Sequence, residues 1–339
     1  MRRVQQLETM TYSIIIPVYR NAESLDVLLA SLDDLVNRVD GLLEVVFVID
    51  GSPDRSFEIL RASLPRARFK SQLLLLSRNF GSFSAIAAGL SVAQGDFFAV
   101  IAADLQGPPE LALRFFQALM TGDCDLVLGK REARHDPFFS ASASRLFWVL
   151  YQKFVQREMP KGGVDVFGCN DLVRQQLLKL NESNSTLVGL LMWVGFRRRN
   201  ISYTRAVRPH GKSSWTLKRK FRYLKDSVFA FSDLPVRVLG FLGIIGLLVA
   251  FCLTLLVLIS KFTGAITVPG YAASSIIIIF FGGLNSLGIA ILGEYLWRTF
   301  ENTKQRPRYI IFRSEGFQPD RSSDDERLPP PKIESAPGD

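Results

Sequence analysis

Short apolar runs rich in β-branched residues recur at 12–18, 43–49, 72–76, 97–101 and 126–128. Stretches of helical periodicity separate them, at 22–39, 55–64, 82–93 and 110–120. Strands alternating with helices predict an α/β domain with a mainly parallel sheet. The strands are apolar at nearly every position rather than at every second one, as when helices cover both faces. In such sheets ligands sit beyond the carboxyl ends of the strands. The loops there are Pro17-Val18-Tyr19-Arg20-Asn21-Ala22-Glu23, Asp50-Gly51-Ser52-Pro53-Asp54, Ser77-Arg78-Asn79-Phe80-Gly81, Ala103-Asp104-Leu105-Gln106-Gly107-Pro108-Pro109-Glu110 and Gly129-Lys130-Arg131. Polar and glycine residues thus gather at one edge of the sheet.

Further along, 138–156 is amphipathic and aromatic-rich, with Phe139, Leu146, Phe147, Leu150, Tyr151 and Phe154 near helical spacing. It reads equally as a core-facing helix or as a helix lying at a membrane interface. Two longer apolar runs follow, 239–262 and 268–292, each long enough to cross a bilayer. Lys218, Arg219, Lys220, Arg222, Lys225 and Arg237 precede the first; Arg298, Lys304, Arg306, Arg308 and Arg313 follow the second; the connection offers only Lys261. By the positive-inside rule this is a hairpin with both ends cytoplasmic; two buried core helices are the alternative. The expected organisation is an N-terminal arm (1–11), an α/β domain (12–210), an amphipathic juxtamembrane region (211–235), two spans (236–297), a cytoplasmic segment (298–314) and a disordered tail rich in Ser, Pro, Asp and Glu (315–339).

Composition sharpens this picture in three places. The formal charge of +9 is concentrated around the apolar block, which favours anionic lipid and phosphate over nucleic acid as partners. Cys124, Cys169 and Cys252 are too few and too scattered for a disulfide framework or a zinc site, and His135 and His210 are the only histidines. The first eleven residues are polar and lack the apolar segment of a signal peptide, so the N-terminal domain is expected to stay cytoplasmic.

The motifs Ser13-Ile-Ile-Ile-Pro-Val-Tyr19, Asp50-Gly-Ser-Pro-Asp54, Arg78-Asn-Phe-Gly81 and Asp104-Leu-Gln-Gly-Pro-Pro-Glu110 occur in this order. Together they resemble the inverting glycosyltransferases of the GT-A fold. The branch most similar is the polyprenyl-phosphate glycosyltransferases, which include dolichol-phosphate mannose synthase and bacterial undecaprenyl-phosphate sugar transferases. Leu292-Gly-Glu-Tyr-Leu-Trp-Arg298 followed by Arg306-Pro-Arg-Tyr309 resembles the two-span bacterial members. The similarity extends from Ser13 to Ile311.

The resemblance implies inverting transfer of a sugar from a nucleotide diphosphate sugar, UDP-linked, to a polyprenyl phosphate, undecaprenyl phosphate, at the cytoplasmic face of the plasma membrane. Pro17, Tyr19, Glu23, Asp50, Arg78, Asp104, Arg208 and Lys212 are the implied contacts to the nucleotide sugar. Asp104 and Gln106 are the implied ligands of Mg2+ or Mn2+, since a cation on a diphosphate wants oxygen and few protein ligands. Relatives commonly carry a further Asp where Ala102 stands here. Arg131, Arg134 and Arg205 correspond to positions that meet the acceptor phosphate. The Arg-x-x-Gly-x-Ser-Lys segment that closes over the diphosphate is matched by Arg208-Pro-His-Gly-Lys-Ser-Ser214, with Ser214 at the lysine position and Lys212 two residues earlier.

Asp165 aligns with the family's candidate base; with Asp104 and Arg131 it completes the implied catalytic set. A phosphate monoester has a second pKa near about 6 and is already nucleophilic at neutral pH, so Asp165 is expected to position acceptor or metal more than to remove a proton. Two-span relatives form homo-oligomers, which implies the same here, a tetramer by resemblance. Gly282, Gly283, Gly288 and Gly293 offer small faces for helix contact. Two other readings stay open at this point: a processive polysaccharide synthase, which needs more spans and a Gln-x-x-Arg-Trp motif that this chain lacks, and a non-catalytic membrane scaffold that binds nucleotide or lipid phosphate.

Overall fold

The computed structural model describes residues 10–131, 164–182, 185–204, 225–263 and 271–319. The first five strands are β1 (Thr11–Val18), β2 (Leu42–Ile49), β3 (Lys70–Leu76), β4 (Phe97–Val100) and β5 (Leu126–Arg131). Between them lie α1 (Leu25–Val36), α2 (Ser56–Ser63), α3 (Ser82–Val92) and α4 (Glu110–Met120). The helix expected over 22–39 is divided: Ala22–Ser24 forms a 3-10 turn before α1 begins. After β5 come β6 (Val164–Asn170), α5 (Asp171–Lys179), α6 (Leu187–Trp193) and β7 (Arg198–Tyr203). A short helix α7 (Lys225–Phe231) precedes α8 (Leu234–Phe262) and α9 (Tyr271–Thr303), and β8 (Ile311–Phe317) ends the described chain.

All eight strands form one sheet in the order β7-β5-β6-β4-β1-β2-β3-β8. It is mixed rather than mainly parallel. β1 pairs in parallel with β2 and β4, β2 with β3, and β5 with β7. β6 runs antiparallel to both β4 and β5, and β8 antiparallel to β3. The expected tail boundary at 315 falls inside β8, where Glu315 pairs with Leu73 and Phe317 with Ser71. The chain therefore returns to the N-terminal domain after its two long helices.

The core is layered as the apolar strand pattern requires. On one face Ile14, Ile16, Val45 and Phe47 pack with Leu25, Leu28, Leu32 and Leu35 of α1 and with Phe115 of α4. The α1 leucines recur at helical spacing and are fully buried, worth about 2 kcal/mol each. On the other face Ile15, Val46, Val48 and Leu74 pack with Ala85 and Ala88 of α3, Val173 of α5 and Leu190 of α6. At the amino end of the sheet a buried carboxylate, Glu44, is fully bonded. It accepts from Ser13 Oγ at 2.6 Å, Gln94 N at 2.7 Å and Gln72 Nε2 at 3.0 Å. A buried charge is tolerable only with such partners.

The helices expected as spans run beyond the sequence estimates, Leu234–Phe262 having 29 residues and Tyr271–Thr303 having 33, and they pack against each other. Among the described residues no unbroken helical stretch is by itself long and apolar enough to cross a membrane. The bent pair Lys225–Phe231 and Leu234–Gly246, at 80° to one another, meets the requirement together.

Candidate active site

β1 to β5 all point one way, so their carboxyl ends share an edge. The antiparallel strands add their starts to it. Val164 pairs with Lys130, which puts the exposed Asp165 at this edge beside the end of β5. β7 ends there as well, with Tyr203 opposite Arg131. Ser77 N donates to Ile310 O at 2.9 Å, so the chain enters β8 next to the loop that carries Arg78. The edge thus collects Asp104, Arg131, Asp165 and Arg78 from four segments far apart in sequence.

The β1 loop is a tight turn. Pro17 and Tyr19 are half-buried and Glu23 is exposed. Arg20 takes a left-handed φ of 57°, its N–H donates to Ser52 Oγ at 2.7 Å, and its guanidinium lies 5.4 Å from the Tyr19 ring centre. Ala22 N donates to Asp54 Oδ2 at 3.0 Å.

Asp50, which ends β2, is 3% exposed. Its Oδ1 accepts from Phe80 N at 2.7 Å and its Oδ2 from Gly81 N at 2.9 Å. Burial pushes the carboxyl up; the two amides and the Arg78 guanidinium oppose that shift. Its oxygens are thus tied to the β3 loop, a structural task besides the nucleotide-sugar contact that the resemblance implies. Gly51 follows with a φ of 56°; a Cβ there would lie 2.4 Å from Arg78 C and Asn79 N. Only glycine admits this conformation and approach together. Arg78 is exposed, its guanidinium 4.2 Å from the Phe80 ring centre.

In the β4 loop Asp104 is half-buried and Gln106 is 6% exposed. Gln106 N donates to Asp104 Oδ1 at 3.2 Å, and Leu105 between them takes a left-handed φ of 55°. Such backbone costs roughly 1–3 kcal/mol and gathers at functional sites. Among the described residues no group of three or more His, Cys, Asp or Glu could hold a metal ion. Asp104 and Gln106 carry oxygen donors two residues apart in one loop, a donor type that suits a hard cation completing its shell from a diphosphate and water.

Arg134, Arg205, Arg208 and Lys212, and the amphipathic stretch 138–156, lie outside the described residues. Sequence reasoning missed Tyr203, which is 5% exposed and stands between the β4 and β5 loops: a Cβ on Gly107 would meet its ring at 3.7 Å and one on Gly129 at 3.2 Å. It also missed the bonding of Ser52 and Asp54, although both stand in a quoted motif; a Ser and an Asp two apart in a turn signal such side-chain bonds.

Residues 13–180 match the family model described as glycosyl transferase family 2. An uncharacterized glycosyltransferase of Bacillus subtilis is 31% identical over 94% of this chain and 98% of its own length. The undecaprenyl-phosphate 4-deoxy-4-formamido-L-arabinose transferase of Edwardsiella ictaluri is 33% identical over 88% of this chain and 92% of its own. A prophage bactoprenol glucosyl transferase homolog of Escherichia coli is 29% identical over 90% and 99%. With its strand-end loops gathered at one edge of a mixed GT-A sheet, the chain is a glycosyltransferase and belongs to glycosyl transferase family 2.

Proposed function

We propose that this enzyme moves one sugar from a UDP-linked donor to undecaprenyl phosphate at the cytoplasmic face of the plasma membrane, with inversion. The observation that carries the reading is the shared edge, where the Asp104–Gln106 loop meets the loops bearing Asp50, Arg78, Arg131 and Asp165. The names of relatives that align along most of this chain support the lipid phosphate acceptor.

In the reaction a phosphate oxygen of the acceptor forms a bond to the anomeric carbon from the face opposite the donor's diphosphate. The carbon–oxygen bond to that diphosphate breaks, and the nucleoside diphosphate leaves with the electron pair. Asp104 and Gln106 would hold Mg2+ or Mn2+, which when bound supplies positive charge to the leaving diphosphate. Arg208 and Lys212 act on the same charge, and Pro17, Tyr19, Glu23, Asp50 and Arg78 form the nucleoside side. Arg131, Arg134 and Arg205 hold the acceptor phosphate. Asp165 positions acceptor or metal, because the phosphate is already largely dianionic at neutral pH.

The membrane part of the reading rests on α8 and α9. At 1.5 Å per residue, 29 residues span about 43 Å against a hydrocarbon core of about 30 Å. Phe241, Leu248, Phe251, Leu256, Ile278 and Ile289 are exposed on these helices. An apolar band of this kind on a water-soluble chain would be an aggregation surface; a bilayer covers it. In this topology α8 and α9 are the two spans, and both chain ends and the catalytic domain are cytoplasmic. Gly282, Gly283 and Gly293 of α9, which face open space, give contacts within a homo-oligomer, a tetramer, whereas Gly288 faces Leu239 of α8.

The test uses the purified full chain in lipid nanodiscs, a panel of nucleotide sugars, Mg2+ or Mn2+, and undecaprenyl phosphate. The expected product is a lipid-phosphate-linked sugar, formed one-for-one with nucleoside diphosphate. Nucleotide release that ignores the lipid phosphate, or no release with any donor, sinks the proposal.

A further inference from the structure

The loop after β2 lies between two other loops of the site edge and holds both. On the β3 side Asp50 grips the amides of Phe80 and Gly81. On the β1 side the grip belongs to Ser52 and Asp54, neither of which has a part in the proposed reaction. Ser52 Oγ accepts the Arg20 N–H at 2.7 Å and donates to Asp54 Oδ1 at 2.6 Å. Asp54 Oδ2 accepts the Ala22 N–H at 3.0 Å, and its Oδ1 also accepts the Ser56 N–H at 3.3 Å. One serine–aspartate pair thus takes both amides that flank Asn21. Between β1 and the 3-10 turn at Ala22–Ser24 the chain makes no regular ladder, and it passes through the left-handed conformation at Arg20. That conformation is disfavoured for a residue with a Cβ, so the turn needs an outside hold.

We propose that Ser52 and Asp54 are positioning residues that hold the 19–23 turn in the shape that receives the nucleoside half of the donor, so that donor affinity depends on the pair and the chemical step does not. The inference rests on the preceding reading of this edge as a sugar-nucleotide site. The geometry also says how each change would act. Ser52→Ala removes the acceptor of the Arg20 amide and a donor to Asp54. Ser52→Thr keeps the hydroxyl. Asp54→Asn has one acceptor oxygen where two are used, and its amide group would face a backbone N–H on one side.

Two measurements on the full chain decide the matter. Hydrogen exchange without ligand reads the turn itself: the Arg20 and Ala22 amides should lose protection in Ser52→Ala and in Asp54→Asn, and keep it in Ser52→Thr. Steady-state kinetics then read the consequence. The donor KM should rise about five- to tenfold in Ser52→Ala, the effect of losing about one hydrogen bond, with kcat at saturating donor and the acceptor KM unmoved and with Thr restoring the donor KM. Unchanged exchange overturns the proposal. So does a loosened turn with an unmoved donor KM, or a loss confined to kcat. A wild-type chain that binds no nucleotide sugar instead overturns the reaction proposed above, and the exchange comparison still decides whether the pair holds the turn.

Discussion

Asp104 combines partial burial, a bond from the Gln106 amide and a strained neighbour in Leu105. Asp104→Asn keeps the shape and removes the charge, so it should cut kcat on the order of 100-fold, the scale of losing one group that stabilises transition-state charge. Its melting temperature should stay within a few degrees of wild type; activity close to wild type would remove Asp104 from the proposed chemistry. Gly51→Ala should fail differently. Its Cβ would collide with the backbone at Arg78 and Asn79 at a φ that L residues avoid, so stability should fall by about 2 kcal/mol or more in a urea melt. Asp54 carries a pH signature. Burial raises its carboxyl, but the Ser52 hydroxyl and the Ala22 and Ser56 amides outweigh that and hold it below the ordinary 3.8. A depressed folded value means the contribution is complete above the unfolded value and lost as pH falls through the folded one. The stability gap between wild type and Asp54→Asn should therefore be constant near neutrality and shrink in acid below about pH 4. A gap that widens there contradicts the assignment.

At the scale of elements, the parallel half of the sheet was legible because its strands are buried on both faces. Thr11–Val18 and Leu42–Ile49 are apolar nearly throughout and differ from their sequence estimates by a residue. The edge strands were not legible. β7 opens with exposed or half-buried Arg198, Arg199 and Asn200, and β8 carries exposed Arg313 and Ser314. Neither shows a clean apolar alternation, as expected where a strand has a neighbour on one side only. Of the site, the motifs and their place at the strand ends were legible; the loop-to-loop bonds of Asp50, Ser52 and Asp54 were not, because a spacing does not tell which loop a carboxylate will bond. The junction below the long helices was also hidden. Arg298 is 8% exposed and bonds Asp226 Oδ1 of α7 at 2.8 Å and Glu294 Oε1 of its own helix at 2.9 Å; Lys225 Nζ lies 3.1 Å from the Glu294 carboxylate. α7 in turn meets α6, where a Cβ on Gly189 would stand 2.1 Å from the Phe231 ring. The catalytic domain is thus joined to α9 through α7 as well as through β8. Arg298→Ala should lower stability by about 1.5–3 kcal/mol, the range for hydrogen bonds to charged groups, and Arg298→Lys should recover only part of it. Equal stability of Arg298→Ala and wild type would show that the junction does not depend on this cluster.

For the whole molecule, the question is what surrounds α8 and α9, and the three cysteines report on it without any substitution. Cys124 and Cys169 belong to the sheet domain and are buried. Burial pushes the Cys124 thiol up and pushes that of Cys169 up to about 12, so neither supplies thiolate at neutral pH. Cys252 sits near the middle of Leu234–Phe262 and is exposed on the isolated chain. If water bathed that helix, Cys252 would be the thiol that a charged, bulky maleimide reaches. If a bilayer surrounds it, position 252 lies deep in hydrocarbon, where the reagent does not partition. In nanodiscs at pH 7 the charged maleimide should therefore label no cysteine over the minutes in which a free thiol in solution is consumed. Unfolding the same sample in SDS should then yield three labels, which shows that the thiols were shielded rather than oxidised. Rapid labelling of Cys252 with the lipid intact, located by peptide mass, would place α8 outside the bilayer. The exposed apolar faces would then have to be covered by protein, and a subunit interface rather than a lipid anchor would hold the active edge beside its acceptor.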